Sequence, residues 1–153
     1  MIIIFTGNGK GKTTAALGQA LRSVGERKKV LMIQFIKGPW KSGEDESAKK
    51  LEPDFKIIKT GRGFVGILGD KLPREEHAKA AEEGLTLARR EIESAKWGIV
   101  ILDEINNAVR LGLLTKESVI ELINSSTNKL EHLILTGRNA PPEFVEKADL
   151  VTE

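Results

Sequence analysis

The stretch Thr6-Gly-Asn-Gly-Lys-Gly-Lys-Thr-Thr14 lies between an apolar run and a segment rich in helix-forming residues. The apolar run, Ile2 to Thr6, is typical of a strand buried on both faces of a sheet. Lys12 to Val24 follows with alanines and leucines and predicts a helix. Glycines let several backbone N–H groups point at one anion, and a helix start adds unpaired donors and a favourable dipole. The stretch therefore predicts a phosphate-binding loop between a strand and a helix.

Within this loop, the Lys12 ammonium is expected to neutralise phosphate charge, and the Thr13 hydroxyl is expected to reach Mg²⁺. The usual pattern of such loops has glycine at the position of Thr6, so Gly7 and Gly9 are expected to supply the flexibility. The alternative is a glycine-rich turn that binds nothing. The nucleotide expected from this pattern is ATP. The residues expected to contact it are Gly7, Asn8, Gly9, Lys10, Gly11, Lys12, Thr13 and Thr14.

A second apolar run, Ile99 to Leu102, ends in the two acids Asp103 and Glu104. Acids at that end of a strand are expected beside the phosphate loop, since ligands of parallel sheets bind at the carboxyl ends of the strands. Asp103 is expected to hold Mg²⁺, directly or through water. Glu104 is expected to act as a second group near the metal or as a base. The alternative is that both acids cap the following turn.

Short apolar runs alternate with helical stretches along the whole chain, which predicts an α/β protein. Strands are expected at 2–6, 30–36, 55–59, 97–102, 133–136 and 150–151, and the longest helix at about 74–96. Shorter helices are expected at 118–123, with Thr115 as a candidate cap, and from Pro141 to about Lys147. Residues 38–54 and 60–73 are expected to be irregular. The result is a P-loop NTPase-like (RecA-like), mostly parallel sheet of five or six strands with helices on both faces, in one domain spanning residues 1–153.

The composition excludes several other classes of protein. Lys and Arg number 24 against 22 for Asp and Glu, a balance that gives no strong pull toward nucleic acid or an anionic membrane. With no cysteine, there is no disulfide, thiolate nucleophile or Cys-ligated metal. His77 and His132 form no spaced metal motif. No run is long and apolar enough for a membrane span, and the start does not resemble a signal peptide, so we expect a cytoplasmic protein.

The constellation resembles the P-loop ATP:cob(I)alamin adenosyltransferases, also called corrinoid adenosyltransferases, over nearly the whole chain. The similarity rests on the segment FTGNGKGKTTAA at 5–16, QFIKG at 34–38, VILDE at 100–104, TGR at 136–138 and Ala148-Asp149. The first segment is the most specific, because Gly-Asn-Gly-Lys-Gly-Lys-Thr-Thr is not the generic phosphate loop.

The resemblance implies that ATP gives its 5′-deoxyadenosyl group to the cobalt of a reduced corrinoid and releases triphosphate. Reduced cobalt is itself the nucleophile, which accounts for the absence of a nucleophilic side chain. Backbone amides, Lys12, Thr13 and Mg²⁺ suit the charge that builds on the triphosphate, and Glu104 completes the catalytic set. By the same resemblance, Lys37 and Arg138 reach the nucleotide or the corrinoid, with a solvated surface charge as the alternative. A homodimer and a flavoprotein reductant are implied in the same way.

The corrinoid side departs from the family pattern. The family usually has Phe-x-Trp after the third strand; Phe64 matches the Phe, but Gly66 stands in place of the Trp. Phe64 as a core residue is the alternative. Trp40 falls in the family's substrate-side loop, as a contact or a hydrophobic anchor. The family's N-terminal extension and its basic, aromatic C-terminal tail have no counterpart in residues 1–153, so we expect an intact nucleotide half and a reduced corrinoid half.

Two other classes of function share the same loop. A small kinase or NTPase would pass phosphate from ATP to another acceptor and would use the same Lys12 and Asp103. A nucleotide-binding regulator or RecA-like nucleic-acid module would bind without this chemistry, although the near-neutral charge and the lack of an aromatic–basic stripe count against nucleic acid. The products distinguish these classes: triphosphate indicates attack at carbon, whereas ADP indicates attack at phosphorus.

Overall fold

A computed structural model describes all residues, 1–153, and contains six strands and six helices. The strands are β1 (Ile2–Phe5), β2 (Val30–Gln34), β3 (Phe55–Lys59), β4 (Ile99–Asp103), β5 (His132–Thr136) and β6 (Leu150–Thr152). The helices are α1 (Lys12–Gly25), α2 (Gly43–Leu51), α3 (Arg74–Glu93), α4 (Ile105–Arg110), α5 (Lys116–Ser126) and α6 (Pro142–Val145).

The six strands form one sheet in the order β3-β2-β4-β5-β1-β6, and every neighbouring pair is parallel. The predicted P-loop-type fold with a parallel sheet of five or six strands is therefore confirmed. In this order β5 separates β1, which leads into the glycine-rich loop, from β4, which ends in the acids. The carboxyl ends of β1, β5, β4 and β2 consequently meet at one edge of the sheet.

The sheet is covered on both faces because successive side chains of a strand point to opposite sides. Along β4, Ile99 and Ile101 join the smaller apolar cluster with alanines of α1 and α2, whereas Val100 and Leu102 join the larger cluster with α3 and α5. All four side chains are buried. This two-sided burial explains why the strand reads as a continuous apolar run rather than as an alternation.

The helix ends follow local capping signals. The predicted cap of α5 is confirmed, because the Thr115 Oγ1 accepts a hydrogen bond of 3.2 Å from the backbone N–H of Ser118. Helix α3 begins at Arg74 as expected and ends at Glu93, three residues before the predicted end. Its buried stripe faces the sheet and includes Ala81, Leu85, Ala88 and Ile92. No helix of the protein has both the length and the apolar character that a membrane span requires.

The expectation that residues 38–54 are irregular is wrong, since α2 occupies Gly43–Leu51. Its start is stabilised by Asp45, whose Oδ2 accepts from the Ser42 N–H at 2.8 Å and from the Ser42 hydroxyl at 3.2 Å. Acids stand in its first turn and lysines in its last, as the helix dipole favours. Only Ala48 is buried, so the helix carries no apolar stripe that the sequence pattern could reveal. Residues 60–73 contain no helix or strand beyond the end of β3, as predicted.

Candidate active site

The glycine-rich loop leaves the end of β1 and enters α1 through two glycines in left-handed backbone conformations. Gly7 has φ 91° and Gly11 has φ 117°, values that residues with a Cβ rarely adopt. The Lys12 Nζ donates to the Gly7 carbonyl at 2.9 Å and to the Gly9 carbonyl at 2.5 Å, so the lysine arches over the loop. The first turn of α1 contains no acid, which leaves its N–H groups and dipole uncompensated. This arrangement suits an anion.

The other polar side chains of the loop point elsewhere. The Thr14 hydroxyl donates to the Gly11 carbonyl at 3.0 Å and so supports the start of α1. The side chains of Asn8 and Lys10 are exposed and bond to no other protein group. Within the loop, Thr13 is therefore the side chain that bonds to the acidic edge of the sheet, and Lys12 is the one that crosses the loop to the Gly7 and Gly9 carbonyls.

Asp103 lies at the centre of the site and its side chain is fully buried. Its Oδ1 accepts from the Thr13 hydroxyl at 2.9 Å and from the Thr136 hydroxyl at 2.7 Å. Its Oδ2 accepts from the Gln34 Nε2 at 3.1 Å and lies 3.6 Å from the Lys37 Nζ. The ends of β2, β4 and β5 thus converge with the start of α1 on one carboxylate, which accepts three hydrogen bonds and faces the Lys37 ammonium.

The bond between Thr13 and Asp103 determines what the threonine hydroxyl can do. A hydroxyl has one proton, and Thr13 gives it to Asp103, so its lone pairs remain free to bind a cation. Mg²⁺ prefers such oxygen ligands, and the buried Gln34 Oε1, which has no hydrogen-bond partner, adds another oxygen beside Asp103. The structure has no cluster of three or more His, Asp or Glu side chains, so a cation here would need waters or phosphate oxygens as well. The donor set therefore fits Mg²⁺ bound to a nucleotide.

Glu104 adopts a left-handed conformation with φ 64°, a strained choice for glutamate at the turn from β4 into α4. Its N–H donates to the Thr136 Oγ1 at 2.9 Å, and the Asn107 Nδ2 donates to its carboxylate. Burial, and then repulsion from Asp103, raise the pKa of Glu104 above the usual range for a glutamate. The nearby cations that oppose this rise are Lys12, Lys37 and Arg138.

Lys37 and Arg138 flank the two acids from different sides. The Lys37 Nζ lies 2.7 Å from the Glu44 Oε1 as well as 3.6 Å from Asp103, and its side chain is 32% exposed. Burial lowers the pKa of Lys37, but the bond to Glu44 and the attraction of Asp103 outweigh it, so the net pKa is raised. Arg138 is exposed, and its backbone N–H donates to the Asn107 Oδ1 at 2.9 Å. Asn107 therefore links Glu104 to the segment that carries Arg138.

Phe64 and Trp40 form a separate aromatic pair. Their ring centroids lie 6.2 Å apart with the planes stacked at 27°, and they are 46% and 62% exposed. The alternative that Phe64 is a core residue is therefore wrong. Gly66 has φ 72° and its N–H donates to Asp70 at 2.8 Å, so this position is a left-handed turn. Glycine adopts this conformation without steric cost, so the local backbone favours it over the tryptophan that the family pattern has here.

The structure also brings into the site three residues for which the sequence predicts no individual role: Gln34, Thr136 and Asn107. Gln34 and Thr136 are the last residues of β2 and β5, and both are fully buried. A polar residue that ends an otherwise apolar strand is the signal that could have identified them, because all such ends meet at one edge of a parallel sheet. Asn107 lies in α4, which the sequence analysis did not predict.

The parallel sheet and the lysine-bearing glycine loop define a P-loop nucleotide-binding protein. Among solved structures, the KaiC-like protein PH0186 of Pyrococcus horikoshii OT3 is similar at TM-score 0.51 and 15% identity, covering 91% of this chain and 62% of that one. EssC (ATPases 2 and 3) of Geobacillus thermodenitrificans is similar at TM-score 0.50 and 14% identity, covering 99% and 32%. At such identities these similarities establish the fold alone.

The model of the family described as ATP:corrinoid adenosyltransferase BtuR/CobO/CobP matches residues 1–153, and the chain belongs to this family. Curated relatives named corrinoid adenosyltransferase include those of Escherichia coli K12, at 38% identity, and Pseudomonas aeruginosa, at 33%. Each covers 100% of this chain, which spans 75% and 73% of their lengths. Corrinoid adenosyltransferase CobA of Salmonella typhimurium is 35% identical over 100% of this chain and 75% of its own length.

Proposed function

We propose that this transferase moves the 5′-deoxyadenosyl group of ATP to the cobalt of a reduced corrinoid and releases triphosphate. Membership of the ATP:corrinoid adenosyltransferase family over all 153 residues supports the reaction class. The observation that carries the proposal is the bond between Thr13 and the buried Asp103 beside the lysine-bearing loop, because it prepares one hydroxyl for a cation bound to phosphate.

In this reaction the cobalt(I) of the substrate supplies an electron pair to the ribose C5′ and becomes alkylated cobalt(III). The bond between C5′ and its oxygen breaks, and that electron pair leaves with the triphosphate. No proton has to be removed from the nucleophile, so the site needs no general base at the attacking atom. The protein must instead orient C5′ and stabilise negative charge on the leaving triphosphate.

The loop Gly7–Thr14 would carry out the second task. Its backbone N–H groups and the N-terminus of α1 attract the phosphates, and Lys12 can exchange its two loop carbonyls for phosphate oxygens of greater charge. Mg²⁺, held by Thr13 with Asp103 behind it, would supply further positive charge at the triphosphate. Asp103 acts mainly by orienting Thr13, since both of its oxygens already accept bonds from protein groups.

Glu104 has the role of a second carboxylate near the metal rather than that of a base. Its partners, Thr136 and Asn107, hold it in place, and its raised pKa reflects burial next to Asp103. Neutralisation by a bound cation would remove much of that repulsion. Arg138, whose positive charge opposes the rise in the pKa of Glu104, would approach the nucleotide or the corrinoid.

The corrinoid would lie on the side of Trp40 and Phe64, whose exposed stacked rings offer an apolar surface for a large macrocycle. Lys37, between these rings and Asp103, would face the border between the two substrates. A cytoplasmic homodimer served by a flavoprotein reductase is part of the same proposal and follows from the resemblance alone.

The deciding experiment incubates the protein with ATP, Mg²⁺ and chemically reduced cobalamin and measures two products. We expect adenosylcobalamin, by its visible spectrum, and triphosphate in equal amounts. ADP or free phosphate without adenosylcobalamin would replace the proposal by a kinase or an NTPase. Tight ATP binding with neither product would indicate a regulator. Lys12→Ala should abolish product formation, whereas the distant, exposed Lys49→Ala should leave it unchanged.

A further inference from the structure

The segment Phe64–Leu72, between β3 and α3, holds an unusual amount of apolar surface in water. Phe64, Ile67, Leu68 and Leu72 are 46%, 59%, 80% and 45% exposed. Trp40 stacks on Phe64 and extends the same surface. Concentrations of exposed apolar side chains of this kind mark binding sites rather than neutral surface.

The backbone of this segment includes a conformation that leucine rarely adopts. Three of its residues are left-handed, with φ 72° at Gly66, 53° at Leu68 and 78° at Gly69. Leucine pays a steric penalty in this region because its Cβ approaches the following carbonyl. Strain of this kind persists only where surrounding contacts maintain it, and it is concentrated at functional segments.

The contacts that maintain it converge on Asp70. Its Oδ2 accepts from the Gly66 N–H at 2.8 Å and its Oδ1 from the Leu72 N–H at 3.0 Å, so one carboxylate closes the turn from both ends. The same Oδ2 lies 2.9 Å from the Nε2 of His77 in the first turn of α3. His77 is 3% exposed, and α3 packs against the sheet, so the carboxylate is tied to a rigid element. The backbone bonds from Gly66 and Leu72 lower the pKa of Asp70.

The apolar surface borders the nucleotide site. A hollow of about 140 Å³ is lined by Trp40 and Phe64 together with Lys37. Lys37 in turn lies 3.6 Å from Asp103. A molecule resting on the stacked rings would therefore be adjacent to the ion pair at the centre of the site.

We propose that Asp70 and His77 are positioning residues, which hold Phe64–Leu72 as a rigid apolar wall for the corrinoid without contacting either substrate. This inference rests on the proposed adenosyltransferase function. The orientation of the wall depends on the Asp70 carboxylate of the segment itself, which pairs with the buried His77 imidazole of α3. The pair sets how well the corrinoid binds and leaves the phosphate loop, on the far side of Asp103, unaffected.

The kinetic test uses Asp70→Ala and His77→Leu, with His77→Gln as the conservative variant that keeps an N–H donor. We expect the first two to raise the KM for cobalamin about tenfold or more while the KM for ATP changes less than about twofold, and His77→Gln to recover most of the loss. Glu91→Ala is the matched control, because it breaks the bond of 2.9 Å to the Trp97 Nε1 near the other end of α3. An equal change in both KM values, or a loss no greater than that of the control, would overturn the proposal.

A second measurement needs no turnover. The protein has two tryptophans, so in a Trp97→Phe background Trp40 is the only indole and reports on its stack with Phe64. We expect Asp70→Ala to increase the quenching of Trp40 fluorescence by iodide and to lower its anisotropy. Unchanged fluorescence in a folded variant would refute the positioning role of Asp70 even if cobalamin proves not to be the substrate. If the wild type makes no adenosylcobalamin yet Asp70→Ala increases the mobility of Trp40, the proposed function fails and the positioning of the wall by Asp70 stands.

Discussion

Replacing Thr136 with valine removes one hydroxyl from the centre of the site and keeps the shape of the side chain. Thr136 is fully buried at the end of β5. Its hydroxyl donates to the Asp103 Oδ1 at 2.7 Å and accepts from the Glu104 N–H at 2.9 Å. Valine can do neither, so the variant leaves a partly buried N–H without a partner and takes one donor from a buried carboxylate.

The magnitude follows from these two bonds. A hydrogen bond to a charged group contributes roughly 1.5–3 kcal/mol, and an unsatisfied buried N–H costs roughly 1–3 kcal/mol. Because the two bonds share one atom, their effects do not add, and we expect a loss of about 2–4 kcal/mol in the free energy of unfolding. For a domain of this size that corresponds to a fall in Tm of roughly 5–15 °C. The variant should remain folded, since domains are stable by about 5–15 kcal/mol.

Urea unfolding followed by circular dichroism measures this loss, and Thr136→Ser is the matched control. Serine keeps the hydroxyl and removes one methyl group, which costs about 1 kcal/mol. Thr136→Val should also weaken binding of Mg²⁺-ATP, because Asp103 is less firmly held against Thr13. If valine and serine lowered the free energy of unfolding equally, the hydroxyl would contribute nothing and this account of the site would be wrong.

Three further substitutions test other parts of the structure. Lys12→Ala should weaken ATP binding at least about tenfold in calorimetry, because a charge-assisted contact is lost; affinity like that of the wild type would remove Lys12 from the site. Asp103→Asn keeps the shape but not the charge, so the Mg²⁺ concentration at half-maximal ATP binding should rise about tenfold, and an unchanged titration would reject the metal role. Asp45→Asn should cost about 1–2 kcal/mol of stability at pH 7, because Asp45 accepts from Lys59 at 2.6 Å and closes the start of α2. Burial raises the pKa of Asp45, but the bonds from Lys59 and Ser42 lower it by more, so the net pKa is lowered. The stability that Asp45 contributes is therefore present at pH values above its unfolded-state pKa of about 3.9 and is lost as the pH falls through the lower folded-state pKa. If the wild type and the variant still differed in the free energy of unfolding at low pH, that result would contradict the ion pair.

The parts of the fold that the sequence predicted are those where local pattern and burial agree. The apolar runs at β2, β4 and β5 are typical of strands covered on both faces, and α3 has an apolar stripe at helical spacing. Helix α2 was not predicted, because its sequence signal is the capping bond between Asp45 and Ser42 and not an apolar face. Helix α4 was not predicted, because it has only six residues and follows directly after the two acids.

The amino-acid sequence alone determined that a phosphate loop follows the first strand, since glycines, a lysine and a helix start are neighbours along the chain and their physics is local. It also placed two acids at the end of a buried strand. Only the tertiary structure decided that Asp103 accepts hydrogen bonds from Thr13, Gln34 and Thr136. It also decided that Gly66 lies in a turn and donates to Asp70. These contacts join residues that lie between 4 and 90 positions apart, and the order of the strands brings the most distant of them together.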